Sequence, residues 1–405
     1  MTYPTRIIIA TIGSRGDVQP YINLAQGLHY AGYDVTLATN PTLCPLVEQH
    51  GVKATPVGRP VDMGAEAERL LEKSFDNMWI GMIRVMQLGG RLVEEAFPDV
   101  LAACQDADLV ITSDTGSGVV EAEKLGKPWI SVTLQPGRVP LVPEEKPSLL
   151  AKLFGWTLGK LFIGPTNRFR KKVGAPLVQD ITTMLSSRMI LLPVNRNVAA
   201  PDPRWKPQVR QTNYWYARPI SDWTPPPELL DFLSRGEKPV VISLGVMGAA
   251  KSRQAAQVVL DAIQQVGVRA IIQGWGEVFA QMRVPPTVYS AGAMPHSWLF
   301  DQAAAIVHHG GFGTTAASLR SGAPSIVIPH IIDQYYWGQR VFELGVGPKP
   351  FTRAHLTVDK LAQSITQALT DAEMRRKAAE LGVAIRDEPD GVVEAVELIE
   401  HVLQN

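Results

Sequence analysis

The sequence has 405 residues, a length typical of roughly two to three domains. Lys and Arg number 39, as do Asp and Glu, so the formal net charge is zero. This balance argues against a nucleic-acid-binding protein, whose surface carries a basic excess. The two cysteines, Cys44 and Cys104, are too few for a disulfide framework.

The first residues lack the features of a secretory signal, because the apolar run at 7–10 is short and leads into Gly-Ser-Arg-Gly-Asp. No uncharged apolar stretch approaches the roughly 18 residues of a membrane-spanning helix. We therefore expect a cytoplasmic protein.

The first half alternates between strands and helices. Residues 7–12 predict a buried strand, and a Gly-rich turn then leads to a helix from about Pro20 that ends at Gly32. Further strands are predicted at 35–39, 109–112 and 129–133, with a helix at 118–125. This order predicts parallel strands joined by helical crossovers.

The pattern restarts near Lys238. Residues 240–244 predict a strand, 252–265 a helix, and 268–273, 287–290, 304–308 and 325–328 further strands. The fold class is therefore α/β, with two doubly wound Rossmann-like domains that we expect to face each other across a cleft.

Proline-rich segments mark the expected domain boundary. Pro201-Asp202-Pro203 and the triple proline 225–227 cannot continue a helix or join a central strand, which places the boundary near 200–227. We predict an N-terminal acceptor domain (1–215), a C-terminal donor domain (216–385), and a C-terminal helix (386–405) that packs back on the first domain.

A Gly-rich loop at 308–317 follows a predicted strand and opens a predicted helix, with the sequence His-His-Gly-Gly-Phe-Gly-Thr-Thr-Ala-Ala. Glycines let the backbone approach a ligand, and the free N–H groups and dipole of a helix start attract an anion. The loop lacks the lysine of a P-loop and the spacing of a dinucleotide fingerprint. The alternative is a turn that only allows tight packing. The double histidine, and Asp333-Gln334 downstream, favour a phosphate site.

These motifs resemble those of a known family. Pro295-His296-Ser297-Trp298-Leu299-Phe300, the loop at 308–315 and the segment 329–338 are similar to the donor signature of GT-B glycosyltransferases in the UDP-glycosyltransferase superfamily. The branch of sterol glucosyltransferases and bacterial antibiotic glycosyltransferases is the most similar, and 13–20 resembles its opening motif.

The resemblance implies a nucleotide-sugar donor, with UDP-glucose as the expected co-substrate and no tightly bound cofactor. His309, Gly310, Gly311, Gly313 and Thr314 would hold the diphosphate. Ala293 and Met294 would line the base pocket, and Asp333 and Gln334 would contact sugar hydroxyls. Related enzymes often have Gly-Ser where this chain has Gly245-Val246, so the contact would come from backbone N–H groups of the loop at Gly245 or from Ser252 farther on.

Asp17 has two interpretations. Its position before the first predicted helix is typical of a helix N-cap. The resemblance to antibiotic-type relatives instead implies a general base, which takes the acceptor proton as the new C–O bond forms. It further implies an inverting single displacement, with the helix at Gly313 and His309 stabilising the leaving group in place of a metal.

The acceptor is predicted to be lipophilic, such as a sterol, triterpenoid or polyketide. Ordinary core packing is the favoured interpretation of a group of methionines and a tryptophan at helical spacing, although adaptable methionines also suit an apolar acceptor pocket: Met78, Trp79, Met82, Met86. The segment 149–172 combines apolar residues with a basic cluster and could contact an anionic membrane surface.

Two other functions remain open at this point. A nucleotide-sugar epimerase would bind the same diphosphate without an acceptor pocket, and the apolar segments of the first half argue against it. A catalytically inactive binding module would need neither Asp17 nor an intact loop at 308–317.

Overall fold

The structure is a computed structural model that describes residues 4–72, 78–113, 115–142, 163–179, 184–217, 223–245 and 249–404. Its chain divides into two compact units. One spans Met1–Met63, Ile83–Ala217 and Pro389–Asn405, and the other spans Gly64–Met82 and Arg218–Glu388.

The first unit contains a parallel sheet with the strand order β3-β2-β1-β4-β5-β6-β7. The order reverses between β1 and β4, as it does in a Rossmann fold. Its strands are β1 (Arg6–Ala10), β2 (Asp34–Thr39), β3 (Lys53–Pro56), β4 (Leu109–Thr112), β5 (Trp129–Val132), β6 (Ile190–Pro193) and β7 (Val209–Thr212).

The second unit contains a parallel sheet with the order β10-β9-β8-β11-β12, which reverses between β8 and β11. Its strands are β8 (Val240–Ser243), β9 (Ala270–Gln273), β10 (Val288–Ala291), β11 (Ala305–His308) and β12 (Ser325–Val327). Both sheets confirm the predicted α/β class and the two Rossmann-like domains.

The helices occupy the connections between these strands. In chain order they are α1 (Arg15–Tyr30), α2 (Cys44–Gln49), α3 (Met63–Glu72), α4 (Met78–Cys104), α5 (Val119–Leu125), α6 (163–173), α7 (Pro227–Ser234), α8 (Ala249–Val266), α9 (Gly276–Phe279), α10 (His296–Leu299), α11 (Phe312–Ser321), α12 (Ile332–Glu343), α13 (Val358–Thr370), α14 (Ala372–Asp387) and α15 (Gly391–Gln404). Within the described ranges, every helix is too short or too polar to traverse a bilayer.

The central strands are buried on both faces, as expected for parallel sheets covered by helices. Ile7 and Ile9 of β1, and Val241 and Ile242 of β8, are fully buried. These continuous apolar runs are what made the strands predictable. Helix α1 begins at Arg15, five residues before the predicted start, and Gly32 does adopt the left-handed conformation after the helix end.

Helix α15 belongs to the first unit, although it comes last in the chain. It packs against α1 so closely that a Cβ at Gly27 would lie 2.3 Å from Val392 Cγ1. Its carboxylate Glu394 accepts the Asn213 N–H (2.8 Å) after β7 and pairs with Arg196 (3.1 Å). Its first residue, Gly391, leaves no room for a Cβ, which would lie 2.0 Å from the Asn213 carbonyl oxygen.

Candidate functional site

Three central strands of the second sheet end in buried polar residues. Ser243 ends β8, Gln273 ends β9 and His308 ends β11. Because the strands are parallel, these side chains lie along one edge of the sheet, which is the edge where α/β proteins bind ligands. The reversal of strand order between β8 and β11 lies within this row.

The loops after β8 and β11 meet at this reversal point. Gly245 has φ +74°, and a Cβ there would lie 3.7 Å from His309 Nδ1. Gly310 has φ +87°, and a Cβ there would lie 2.7 Å from Val327 Cγ1 and 3.0 Å from the Gln334 carbonyl oxygen. The structure therefore brings together Gly245, His309, Gly310 and Gln334, four of the residues that the sequence predicted for the donor site.

Helix α11 starts at Phe312, one residue before the predicted start, with Gly311 as its N-cap. Gly311 has no side chain to cap the helix, and the first amide to bond back into it is that of Thr315, which donates to the Gly311 carbonyl (2.8 Å). The amides of Phe312, Gly313 and Thr314 precede this bond. Nothing lies within 4 Å of the position that a Cβ would take at Gly313. The helix therefore presents amide donors and its positive dipole end beside open space, which suits an anion.

His308 stabilises the loop. Its Nδ1 accepts the Gly310 N–H (3.1 Å), so the proton of the neutral ring is on Nε2. Burial, with smaller contributions from His309 and His296, lowers the pKa of His308 to about 3. We therefore assign the first histidine of the pair to folding the loop, and the second to the site.

His309 is half-buried and has an unexpected neighbour. Its ring lies nearly parallel to that of His330, with centroids 6.3 Å apart and planes 20° from parallel. Burial lowers the pKa of His309, and a hydrogen bond with the Ser243 backbone opposes part of this lowering. His330 was not among the predicted site residues, although it lies within the segment 329–338 that resembles the donor signature.

The start of α12 uses Gln334 internally. Its Oε1 accepts the backbone N–H groups of His330 (2.7 Å) and Ile331 (3.1 Å). The predicted sugar contact would therefore have to use the amide NH₂ group of Gln334. Asp333 is the second residue of α12 and is half-buried.

The predicted base-pocket residues lie on a loop that a polar network holds in place. Gln273 Nε2 donates to the carbonyls of Gly292 (3.4 Å) and Met294 (3.2 Å). Its Oε1 accepts from Ser243 Oγ (3.1 Å) and from His296 Nε2 (2.8 Å), which must therefore carry a proton. Ala293 between these carbonyls is exposed. The sequence analysis missed this network.

Asp17 lies in the first unit, in the loop and helix start after β1, where the strand order of that sheet reverses. It is exposed, and its Oδ2 accepts the Ser14 backbone N–H (2.7 Å) and the Ser14 hydroxyl (2.8 Å). The N-cap residue is Ser14, so the N-cap interpretation of Asp17 is wrong, although Asp17 does stabilise the helix start as its third residue. A Cβ at Gly13 would lie 2.7 Å from the same Oδ2, which explains the glycine there.

The predicted acceptor residues lie on α4, but the side chains of Met78, Trp79, Met82 and Met86 are outside the described part of the structure, as are residues 149–162. Their contribution to an acceptor pocket stays a prediction. Among the described residues, no group of three or more His, Cys, Asp or Glu side chains could hold a metal ion.

Comparisons with protein families match both halves of the chain. Residues 7–139 match the N-terminal domain of glycosyltransferase family 28, and 257–400 match the C-terminal domain of the erythromycin biosynthesis protein CIII-like family. The chain is 33% identical over 421 residues to a sterol 3-beta-glucosyltransferase of Aspergillus oryzae, and 30% identical over 421 residues to one of Komagataella phaffii. The alignments cover 97% and 96% of this chain but only 30% and 34% of those proteins.

Solved structures share the fold along the whole chain. The glycosyltransferase VinC, in complex with dTDP, has a TM-score of 0.73 and 20% identity, covering 99% of this chain and all of that one. The glycosyltransferase SnogD from Streptomyces nogalater has a TM-score of 0.69 and 21% identity with the same coverage.

Gly310→Ala tests the geometry of the loop. An alanine at φ +87° costs about 1–2 kcal/mol, and its Cβ would also collide with Val327. We expect urea denaturation to show a loss of at least this size. Gly313→Ala is the matched control, since its Cβ points into open space within a helix, and the free energy of unfolding should stay the same or rise by up to about 1 kcal/mol. Equal stability of the two variants would contradict the assigned loop.

Proposed function

The chain belongs to the GT-B glycosyltransferases, with a family 28 N-terminal domain and an erythromycin CIII-like C-terminal domain, and from this premise we propose that it transfers a hexose from a nucleotide sugar to a hydroxyl of a lipophilic acceptor. The observation that carries the proposal is the start of α11. Amide donors and a half-buried histidine lie there beside the open space at Gly313, an arrangement that suits an anion such as a diphosphate.

We assign the donor as UDP-glucose. Glucose as the sugar is supported by the sterol 3-beta-glucosyltransferases that align with nearly all of this chain. The alternative nucleotide is dTDP, which is bound in the VinC structure. In this proposal the loops at Gly245, His309, Gly310, Gly311, Gly313 and Thr314 hold the diphosphate. Ala293 and Met294 contact the base, and Asp333 and the Gln334 NH₂ group contact the sugar.

The proposed reaction is an inverting single displacement. The acceptor oxygen bonds to the anomeric carbon while the bond from that carbon to the diphosphate oxygen breaks. The Asp17 carboxylate accepts the hydroxyl proton as the new bond forms. The amides at the start of α11, with His309, stabilise the negative charge on the departing diphosphate, the role that the proposal gives to protein groups rather than to a metal ion.

We propose a sterol or a similar fused-ring alcohol as the acceptor. The support is that the relatives, of which this chain spans about 30% of the length, are sterol 3-beta-glucosyltransferases. The methionines of α4 would adapt to such a ring system.

A donor-by-acceptor matrix tests the function. UDP-glucose and dTDP-glucose are each incubated with a sterol, a triterpenoid and a polyketide alcohol, and products are read by mass spectrometry. We expect a hexose mass shift on the sterol with UDP-glucose, and release of UDP only when acceptor is present. Conversion of the donor to an isomeric sugar nucleotide without acceptor would instead identify an epimerase, and binding of UDP-glucose without any product would indicate a binding module.

Asp17→Asn tests the proposed base. Asparagine keeps an oxygen that can accept the Ser14 N–H, so the start of α1 should remain intact. Loss of general-base catalysis should lower turnover about 10²–10⁴-fold while UDP affinity is unchanged. Ser14→Ala, which removes the hydroxyl bonded to the same carboxylate, is the control and should keep most of the turnover. Full activity of Asp17→Asn would exclude Asp17 as the base.

We also propose contact between α6 and an anionic membrane, with the enzyme located in the cytoplasm. Arg168, Lys171 and Lys172 are exposed on this helix, and Leu177 beyond it is 59% exposed. The protein should co-sediment with phosphatidylserine vesicles at low salt and stay in the supernatant at high salt, because basic residues bind such surfaces electrostatically. The variant Lys171→Gln/Lys172→Gln should bind more weakly, and equal binding would contradict the contact.

A further inference from the structure

Both ring nitrogens of His330, at the edge of the second sheet, are buried without a hydrogen-bond partner in the described part of the chain. The adjoining His309 ring, by contrast, interacts with the Ser243 backbone. Buried polar atoms are nearly always paired in native proteins, since an unpaired one destabilises the fold. Two such atoms in one ring that stacks on His309 therefore indicate a requirement other than folding.

The two rings lie beside the start of α11. They stack with their centroids 6.3 Å apart, and they follow the neighbouring strands β11 and β12. A Cβ at Gly311, the N-cap of α11, would lie 2.5 Å from His309 Nε2, so this ring is in contact with the cap. His330 is thereby coupled, through one ring contact, to the proposed diphosphate site.

The charged groups around the pair keep it neutral in the free protein. Burial lowers the pKa of both rings, that of His330 to about 3. His330 also has His309 on one side and Arg353 on another, and both disfavour its charged form. His309 is further faced by His308, and Asp333 and Gln334 follow His330 on its own segment.

We propose that His309 and His330 form a paired-imidazole site that takes up one proton from solvent when the nucleotide diphosphate binds at the start of α11. The inference rests on the proposed function and adds His330 to the binding residues. A diphosphate placed beside the pair favours the charged form of an imidazole, opposing burial. The proton goes to His330, whose two ring nitrogens have no other partner among the described residues, and it disfavours a second proton on His309, so the pair holds one.

The step is a simple protonation. One N–H bond forms on a ring nitrogen, the proton comes from water or buffer, and no bond of the nucleotide changes. The bound complex thereby gains a cation against the diphosphate that the free protein does not carry. Its affinity for UDP should consequently rise as the pH falls from 8 toward 6, beyond the change caused by titration of UDP itself.

Isothermal titration calorimetry of UDP binding at pH 7, in buffers of different ionisation enthalpy, measures the proton uptake directly. We expect the wild type to take up about one proton per site. His330→Phe keeps an aromatic ring against His309 but cannot be protonated, and His330→Gln keeps hydrogen bonding but not the titration. Both should lose the uptake and bind UDP about tenfold more weakly.

His29→Gln is the matched control, because it removes an exposed imidazole on α1 and should keep the wild-type uptake. UDP contributes its own titration equally to every variant, so differences between variants report on the protein. Thermal unfolding of His330→Phe should occur at the wild-type temperature or higher, since two unpaired buried nitrogens are removed. A packing role for His330 would instead lower that temperature in both variants and would overturn the proposal.

The remaining outcomes separate this inference from the function on which it rests. If the wild type binds UDP without proton uptake, or if both His330 variants retain the uptake, the paired-imidazole site is wrong while the glycosyltransferase proposal stands. If the wild type does not bind UDP at all but binds dTDP with the same proton uptake, only the choice of base is wrong. Failure to bind either nucleotide would overturn both proposals.

Discussion

Strand β11 passes into helix α11 within four residues because the backbone at Gly310 makes a left-handed turn in a space that admits no side chain. This turn presses the loop against Val327 and the Gln334 carbonyl, and it lets His308 Nδ1 accept the Gly310 N–H. The first amides of α11 and the His309 ring then share one edge of the sheet. The proposed recognition of a diphosphate depends on this arrangement, because single amide dipoles bind an anion weakly and several aligned ones bind it well.

The same edge carries buried polar groups of two kinds. Ser243, Gln273 and His296 satisfy one another and fix the carbonyls of Gly292 and Met294. Such a complete network specifies a single loop conformation, which supports the proposed base pocket at this loop. Thr315, His308 and His330 instead retain unpaired atoms within the described residues. Stability is lower there than packing alone would allow, a pattern that is common at ligand sites.

The sequence was sufficient for the class of fold and for the central strands, since buried parallel strands are continuous apolar runs such as Ile7–Ile9. It was insufficient for β3 and β7, whereas β6 carries the same kind of buried apolar run and was overlooked. Strand β3 is partly exposed along its length, and β7 carries Arg210 and Gln211, so neither has an apolar run. The start of α1 was misplaced because Pro20 suggested a first turn, whereas Ser14 and Asp17 together define it.

Within the site, glycines and the double histidine were visible as a motif. Gln273 and His330 were not, because each gains its role from parallel pairing of strands far apart in sequence. A polar residue at the last position of a buried strand was the signal that could have found Ser243, Gln273 and His308.

The position of α15 has a consequence for synthesis of the chain on the ribosome. Ala395 and Ile399 are fully buried, and Glu394 bonds to Asn213, so the first unit lacks part of its core until α15 has been made. The second unit, Gly64–Met82 and Arg218–Glu388, is complete before α15 and can fold as it emerges. Of these two units, the one whose synthesis starts first is therefore completed second. A nascent chain that stops before residue 389 exposes the apolar face of α1, a surface that chaperones bind and that invites aggregation.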